Sequence, residues 1–276
     1  AGVATLSPVL EVTDRRYTSA SIAQSVPPEW PTLRPHRLGV GRYAVRDGLF
    51  VRTAYDEIDI DGALTPVPEL VGAEEPDLLL VNDEDLAYAK IRLDERSLAT
   101  VLAHPNGFTE SLPRSLVFGA LWDMVRDAEM SPRDYIGWAL AALADVTDST
   151  MLRVMLGTVT TAARLYVAPA YREAELARVA DGLRGLAETA APGSDAQFQL
   201  VNRFCQFVDR PDDAAWAAAL LDGSASLEGL AIDTDMRWEL LTAMAATGLA
   251  SAERIAEEAD RDKTATGKER AAQAMA

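Results

Sequence analysis

The sequence predicts an α+β, multidomain chain: a small antiparallel β-sandwich followed by a predominantly α-helical, superhelical domain of solenoid or bowl-like form. Three observations predict it. Residues up to about Leu93 read as strands and turns, residues from about Asp94 read as helices to the last position, and Asn82–Ser97 (NDEDLAYAKIRLDERS) changes period between the two. The expected domains are therefore 1–93 and 94–276.

The strand half opens with Val9, Leu10 and Val12, and Thr18–Ile22 forms a second strand. Pro27, Pro28, Pro31 and Pro35 then enforce a non-helical loop, which holds His36. Asp47-Gly48 and Asp61-Gly62 are tight-turn signals. Leu49–Ile60 is the longest strand candidate, and its end alternates Ile58 and Ile60 against Glu57, Asp59 and Asp61. Leu78–Val81 is a short apolar run suited to a buried strand, and Asn82–Asp85 is a polar break. Tyr88, Lys90 and Arg92 then alternate with Ala89, Ile91 and Leu93, as a half-buried strand would. Six or seven short strands need a second layer, because a single sheet would leave one apolar face uncovered.

The helical half begins at Asp94 and Ser97, which supply capping oxygens. Leu116–Met130 is apolar almost all round, as a central helix requires. Ser131-Pro132-Arg133-Asp134 is a helix start with Pro at the first turn, and Asp148 caps a helix whose face is Leu152, Met155, Leu156 and Val159. Leu176, Val179, Leu183, Leu186 and Ala187 repeat that spacing until Pro192-Gly193, after which Phe198, Val201 and Cys205 continue it. Gly248 ends the helix over 236–247, and Thr266-Gly267 begins a last piece. Antiparallel helix pairs in series curve into a solenoid, although no sequence period is present. The chain lacks an initiator Met and stops in an Ala-rich helix, so excision from a longer polypeptide is expected.

Composition excludes several functions. The net charge of −17 opposes binding to nucleic acid or to anionic membrane surfaces. No run reaches the roughly 18 apolar residues of a membrane span. The single cysteine, Cys205, forbids an intramolecular disulfide, sits among apolar positions as a core residue, and fits a cytoplasmic setting. Only His36 and His104 are present, with no HExxH, so neither a zinc site nor a Ser–His–acid site is expected in the chain. Glu57–Gly62 imitates an EF-hand opening, but its twelfth position would be Pro68. The Gly39-Val-Gly41 run has a dinucleotide fingerprint in letters only, because a hairpin follows where a helix is needed.

Two charged clusters remain as candidate sites, for peptide-channel or interdomain contact. Asp123, Arg126 and Asp127 lie one turn apart with Trp122 beside them; they suit a local ion pair or, on a concave surface, contact with a peptide or another domain. Arg92 and Asp94, with Glu95 and Arg96, are placed to lock the two domains together. Trp30, Trp138, Trp216 and Trp238 read as core or interface aromatics.

NDEDLAYAKIRLDERS, followed by GALWDMVRDAE at 119–129, resembles the start of the C-terminal helical domain of zinc aminopeptidases of the aminopeptidase N family. RPHRLGVGRY at 34–43 and PELVG at 68–72 resemble that family's β-sandwich, and DTDMRWELL at 233–241 and RDKTATGKERAAQA at 261–274 look like its actinobacterial members. The family's HExxH, its downstream Glu ligand and its GAMEN motif have no match here. The resemblance implies a non-catalytic C-terminal region that encloses the active site and controls peptide access for removal of N-terminal amino acids. It implies zinc only in the parent's catalytic domain, with that domain and peptide substrates as partners, and no activity from the chain alone. A free-standing helical-repeat scaffold that binds a protein partner is the competing reading of the same helices.

Overall fold

Hairpin turns set the framework of the strand half. In the computed structural model, which describes residues 2–276, β1 (Thr5–Thr13) and β2 (Arg16–Ser25) pair through Asp14 and Arg15, both left-handed. β3 (His36–Arg46) and β4 (Leu49–Ile60) pair through Asp47 and Gly48, also left-handed. Positive φ at both central residues gives the turn twist that matches the twist of the strands. β5 (Leu64–Pro66) returns to pair with β2, a 3-10 turn follows at Pro68–Leu70, and β6 (Leu78–Asp83) pairs with β3. β7 (Lys90–Ile91) joins β1 in parallel.

The result is two sheets, ordered β5-β2-β1-β7 and β4-β3-β6. One core joins them: Leu6, Ala20 and Ile22 come from the first sheet, and Leu38, Val40, Ile58, Ile60, Leu79 and Val81 from the second. The alternation of Ile58 and Ile60 against Glu57 and Asp59 does what the pattern requires, with the isoleucines inside and both acids taken by Arg37 at the surface. His36 opens β3, beyond the proline-rich loop that the sequence suggested for it.

One other element differs from expectation. The alternation over Tyr88–Leu93 yields only two residues of strand, because Asn82, Glu84 and Asp85 turn the chain through left-handed conformations and Tyr88 is 87% exposed. Gly39 and Gly41 lie within β3, where a Cβ on Gly41 would come 2.0 Å from Asp83 Oδ2. Close approach of a neighbouring strand, and not a phosphate, explains that glycine.

Three helices complete the first of two compact units, Ala1–Ala142: α1 (Glu95–Ala103), α2 (Ser111–Arg126) and α3 (Pro132–Ala142). Asp94 caps α1 by accepting from Ser97 N at 3.0 Å, and α1 packs on β6, where Leu79 N donates to Ser97 Oγ at 2.8 Å. Trp138 of α3 is buried and donates to Val101 O of α1 at 3.0 Å.

The second unit, Leu143–Ala276, contains α4 (Ser149–Thr161), α5 (Pro169–Thr189), α6 (Asp195–Cys205), α7 (Pro211–Asp222), α8 (Thr234–Ala246), α9 (Ala252–Arg261) and α10 (Ala265–Met275). A π-helical turn, Ala162–Tyr166, extends α4. Packing joins α5 to α6, α6 to α4 and α8, α7 to α8, and α10 to both α8 and α9. Asp148 caps α4 through Met151 N at 2.7 Å. Buried Met155, Val179, Leu183, Phe204, Trp238 and Leu241 fill the interior. α10 starts one residue earlier than Thr266-Gly267 suggested, at Ala265, because Thr264 is the cap, accepting from Gly267 N at 3.0 Å.

Candidate functional site: the charged cluster between β7 and the end of α2

Lys90 and Arg92 are two positions apart on an extended segment, so their side chains share one face. Pairing with β1 fixes that segment: Lys90 N donates to Ala4 O and Arg92 N to Leu6 O, each at 2.8 Å. Both cations then meet the C-terminal end of α2, where a helix carries partial negative charge. Lys90 Nζ donates to both carboxylate oxygens of Asp127 at 2.7 Å. Arg92 Nη2 donates to Asp127 Oδ2 at 2.5 Å, and Arg92 Nε to Glu129 Oε2 at 2.6 Å.

The end of α2 aims these acids. Asp127 is its C-cap, Ala128 is left-handed at φ 61°, and Glu129 N turns back to donate to Met124 O at 2.8 Å. That left-handed residue closes the helix as a glycine more commonly would. It also swings Glu129 towards Arg92.

Burial and charge shape the titration of the group. Burial of Arg92 disfavours its charged form, but Glu129 and Asp127 outweigh that and hold its proton affinity above the usual arginine value. Burial acts against ionised Asp127 as well, and its bonds to Lys90 and Arg92 prevail, holding it below the ordinary carboxylate value. Asp123 goes the other way: burial raises it, and Lys90 and Arg126 only partly offset that.

The structure brings together four of the six residues singled out from the sequence. Arg92, Asp123, Arg126 and Asp127 form one group, with Arg126 Nη1 at 3.4 Å from Asp123 Oδ1. Trp122 stands on the same helix, its ring 5.6 Å from that of Tyr135. Asp94 is apart, engaged as the α1 cap with Ser97 Oγ at 2.5 Å. Arg96 goes elsewhere too, donating to Asp77 Oδ1 at 2.6 Å and Pro76 O at 2.8 Å.

Lys90 and Glu129 were not singled out from the sequence. The two-residue spacing of Lys90 from Arg92 was the available signal for the first. Glu129 had none, because its position depends on the turn at Ala128. A further buried acid, Asp83, also escaped notice. Tyr43 OH donates to its two oxygens at 3.0 and 2.9 Å, and Arg52 Nη1 donates to it at 3.2 Å. Burial raises its proton affinity above the usual carboxylate value, and those two donors oppose the rise.

Chemically, the cluster can fix and orient; it holds no nucleophile beside a base. Among the described residues no group of three or more His, Cys, Asp or Glu side chains is placed to hold a metal ion. Among them, too, no helix is long and apolar enough to cross a membrane. Cys205 is buried, and burial pushes its thiol well above the ordinary value.

Comparison with known proteins identifies the class. The family described as ERAP1-like C-terminal domain matches residues 78–276, and the chain belongs to that family. Over its whole length the chain is similar to Aminopeptidase N of Streptomyces lividans, 42% identical over 284 aligned positions. It spans 33% of the length of that relative. The resemblance carried by NDEDLAYAKIRLDERS and GALWDMVRDAE is thereby shown.

Proposed function

We propose that this chain is the non-catalytic C-terminal region of an aminopeptidase N-like zinc metallopeptidase. In this reading 1–93 is a β-sandwich and 94–276 a curved helical-repeat domain that closes over the active site as a bowl. Zinc and the catalytic groups belong to the catalytic domain of the same polypeptide, which is the chain's principal partner in the cytoplasm. When bound there, zinc activates water for attack on the first peptide bond. The contribution of this chain is enclosure, which admits peptides with free N-termini, excludes bulky substrates and removes bulk water from the reacting centre.

The observation that carries the reading is the family match across 78–276, together with similarity to an aminopeptidase about three times longer. The cluster of Lys90, Arg92, Asp127 and Glu129 supports it physically, since it ties the last strand to the first long helix. Asp123, Arg126 and Trp122 are then the side chains of that helix that would meet peptide or the catalytic domain.

The test compares the parent enzyme with a form lacking this region, on a short aminoacyl anilide and on a folded protein with an exposed N-terminal residue. Enclosure predicts that the truncated form gains relative activity on the folded protein. An unchanged ratio between the two substrates would overturn the proposal.

A further inference from the structure

The segment between β6 and β7 is held in a shape that its residues do not favour. Asn82, Glu84 and Asp85 all take left-handed conformations, at φ 62°, 73° and 53°, which residues other than glycine seldom adopt. Asn82 is buried and braces the segment: its Oδ1 accepts from Ala87 N at 2.9 Å and its Nδ2 donates to Ala87 O at 2.8 Å. Both backbone polar groups of Ala87 are thereby fixed, and its methyl packs into the core that joins the two sheets. Its neighbours on either side are left in solvent. Leu86 is exposed, and Tyr88 is the most exposed large apolar side chain among the described residues. Backbone strain of this kind collects at functional surfaces.

Leu86 and Tyr88 border a groove of about 570 Å³ whose other walls include Gly2, Val3, Pro35 and His36. The patch continues past the groove, because a Cβ on Gly2 would stand 3.1 Å from the Cβ of Trp30, itself exposed. Single exposed apolar residues are ordinary, whereas several large ones around one groove mark an interaction surface. Its polar edge has one sign, since no acid lines the groove. Arg37 is taken by Glu57 and Asp59, but Arg34 forms no ion pair among the described residues, only a 3.4 Å bond from Nη1 to Gly2 O.

A second copy of the chain is a poor occupant, because each copy carries a net charge of −17. The rest of the parent polypeptide is a better one. In the reading proposed above it precedes this region, so it arrives at Gly2, on the wall of the groove. Tethering there gives it a high effective concentration at the patch. We propose that this groove is where the remainder of the parent polypeptide docks, covering Leu86, Tyr88 and Trp30 with apolar side chains and setting a carboxylate against Arg34. The identity of the occupant rests on the aminopeptidase reading.

The experiment is hydroxyl-radical footprinting of this chain alone and of the parent polypeptide, read by mass spectrometry, with aminoacyl anilide hydrolysis followed on the same parent sample. Tyr88 and Trp30 should be oxidised at least about fivefold more slowly in the parent than in the chain alone, because the centre of a docked interface excludes water. In the parent, Leu86→Ser combined with Tyr88→Ser should return Trp30 towards its rate in the chain alone. Equal rates for Tyr88 in the two samples would overturn the docking surface, whether or not the parent hydrolyses anilides. Protection that grows with the concentration of the chain alone would overturn it in favour of a second copy. Protection in a parent without chelator-sensitive hydrolysis would uphold the surface and sink the aminopeptidase reading, so the two fail separately. The footprint acts on the unaltered chain, so the test stands even where the variant fails to fold.

Discussion

Arg92 Nε donates to Glu129 Oε2 at 2.6 Å, joining a residue just past the last strand to one just past the end of α2. Arg92 is only 9% exposed, and its other donors reach Asp127 and Ile91 O. A buried guanidinium with two acids is a positional constraint: removing it strands partly desolvated carboxylates, and moving it breaks a forked geometry.

Arg92→Ala should therefore destabilise the chain by about 2 kcal/mol, below the full cost of breaking a buried pair because Glu129 is half exposed to solvent. Arg92→Lys should recover little of this, since an ammonium cannot span both acids as a fork does. Urea unfolding checks both, read as a fall in midpoint with an unchanged slope.

A second prediction concerns Gly41. Alanine there would set its Cβ against the Asp83 carboxylate and the Tyr43 ring, both held in a buried network. Gly41→Ala should cost at least about 2 kcal/mol. In a thermodynamic cycle with Asp83→Ala the two changes should couple, the double variant being less damaged than the sum of the singles. Strict additivity would show that the carboxylate is not what the glycine accommodates.

Acid sensitivity should come in part from Glu258. Arg237 holds it below the ordinary value of 4.5, overcoming the opposing effect of burial. A carboxyl lowered by folding contributes stability that is fully present above its unfolded-state value and is lost as pH falls through its folded-state value. The stability difference between the natural chain and Arg237→Met should thus be largest above pH 4.5 and shrink below it. Asp83 acts in the opposite sense, because burial raises it, so Asp83→Asn should be relatively less costly at neutral pH than in acid. Chemical denaturation across pH 3–7, about the range in which carboxylates titrate, measures both.

Cys205 is buried and its thiol is pushed up by burial, so the thiolate is scarce in the folded chain. A disulfide reagent should modify no thiol in the native chain at neutral pH, and one per chain in denaturant. Rapid native-state modification would contradict this placement.

How legible these features were in the sequence follows from their range. Asp94 and Asp148 act on amides three residues away, and Asp47-Gly48 closes a turn on itself, so local chemistry specified them. The apolar spacing on α4 and α5 likewise identified Leu152, Met155, Val179 and Leu183 as buried. The cluster was legible only in part, because Arg92 meets its acids across 35 and 37 residues through a left-handed alanine that no pattern announces. The short β7 has a similar cause. Its alternation looked like a full strand, but only Lys90 and Ile91 find pairing partners on β1. The hairpin that follows Gly39 and Gly41 rightly sets the dinucleotide reading aside, but the neighbour that does require them, Asp83, lies about forty residues on and could not be read locally.

The most direct test of the central claim is hydrolysis of a panel of aminoacyl anilides and short peptides. It uses this chain, the remainder of the parent polypeptide, and a mixture of the two. The account predicts no activity from this chain and activity from the mixture that is chelator-sensitive and restricted to substrates with free N-termini. Chelator-sensitive hydrolysis by this chain alone, or folded halves that neither associate nor alter substrate selection, would contradict it.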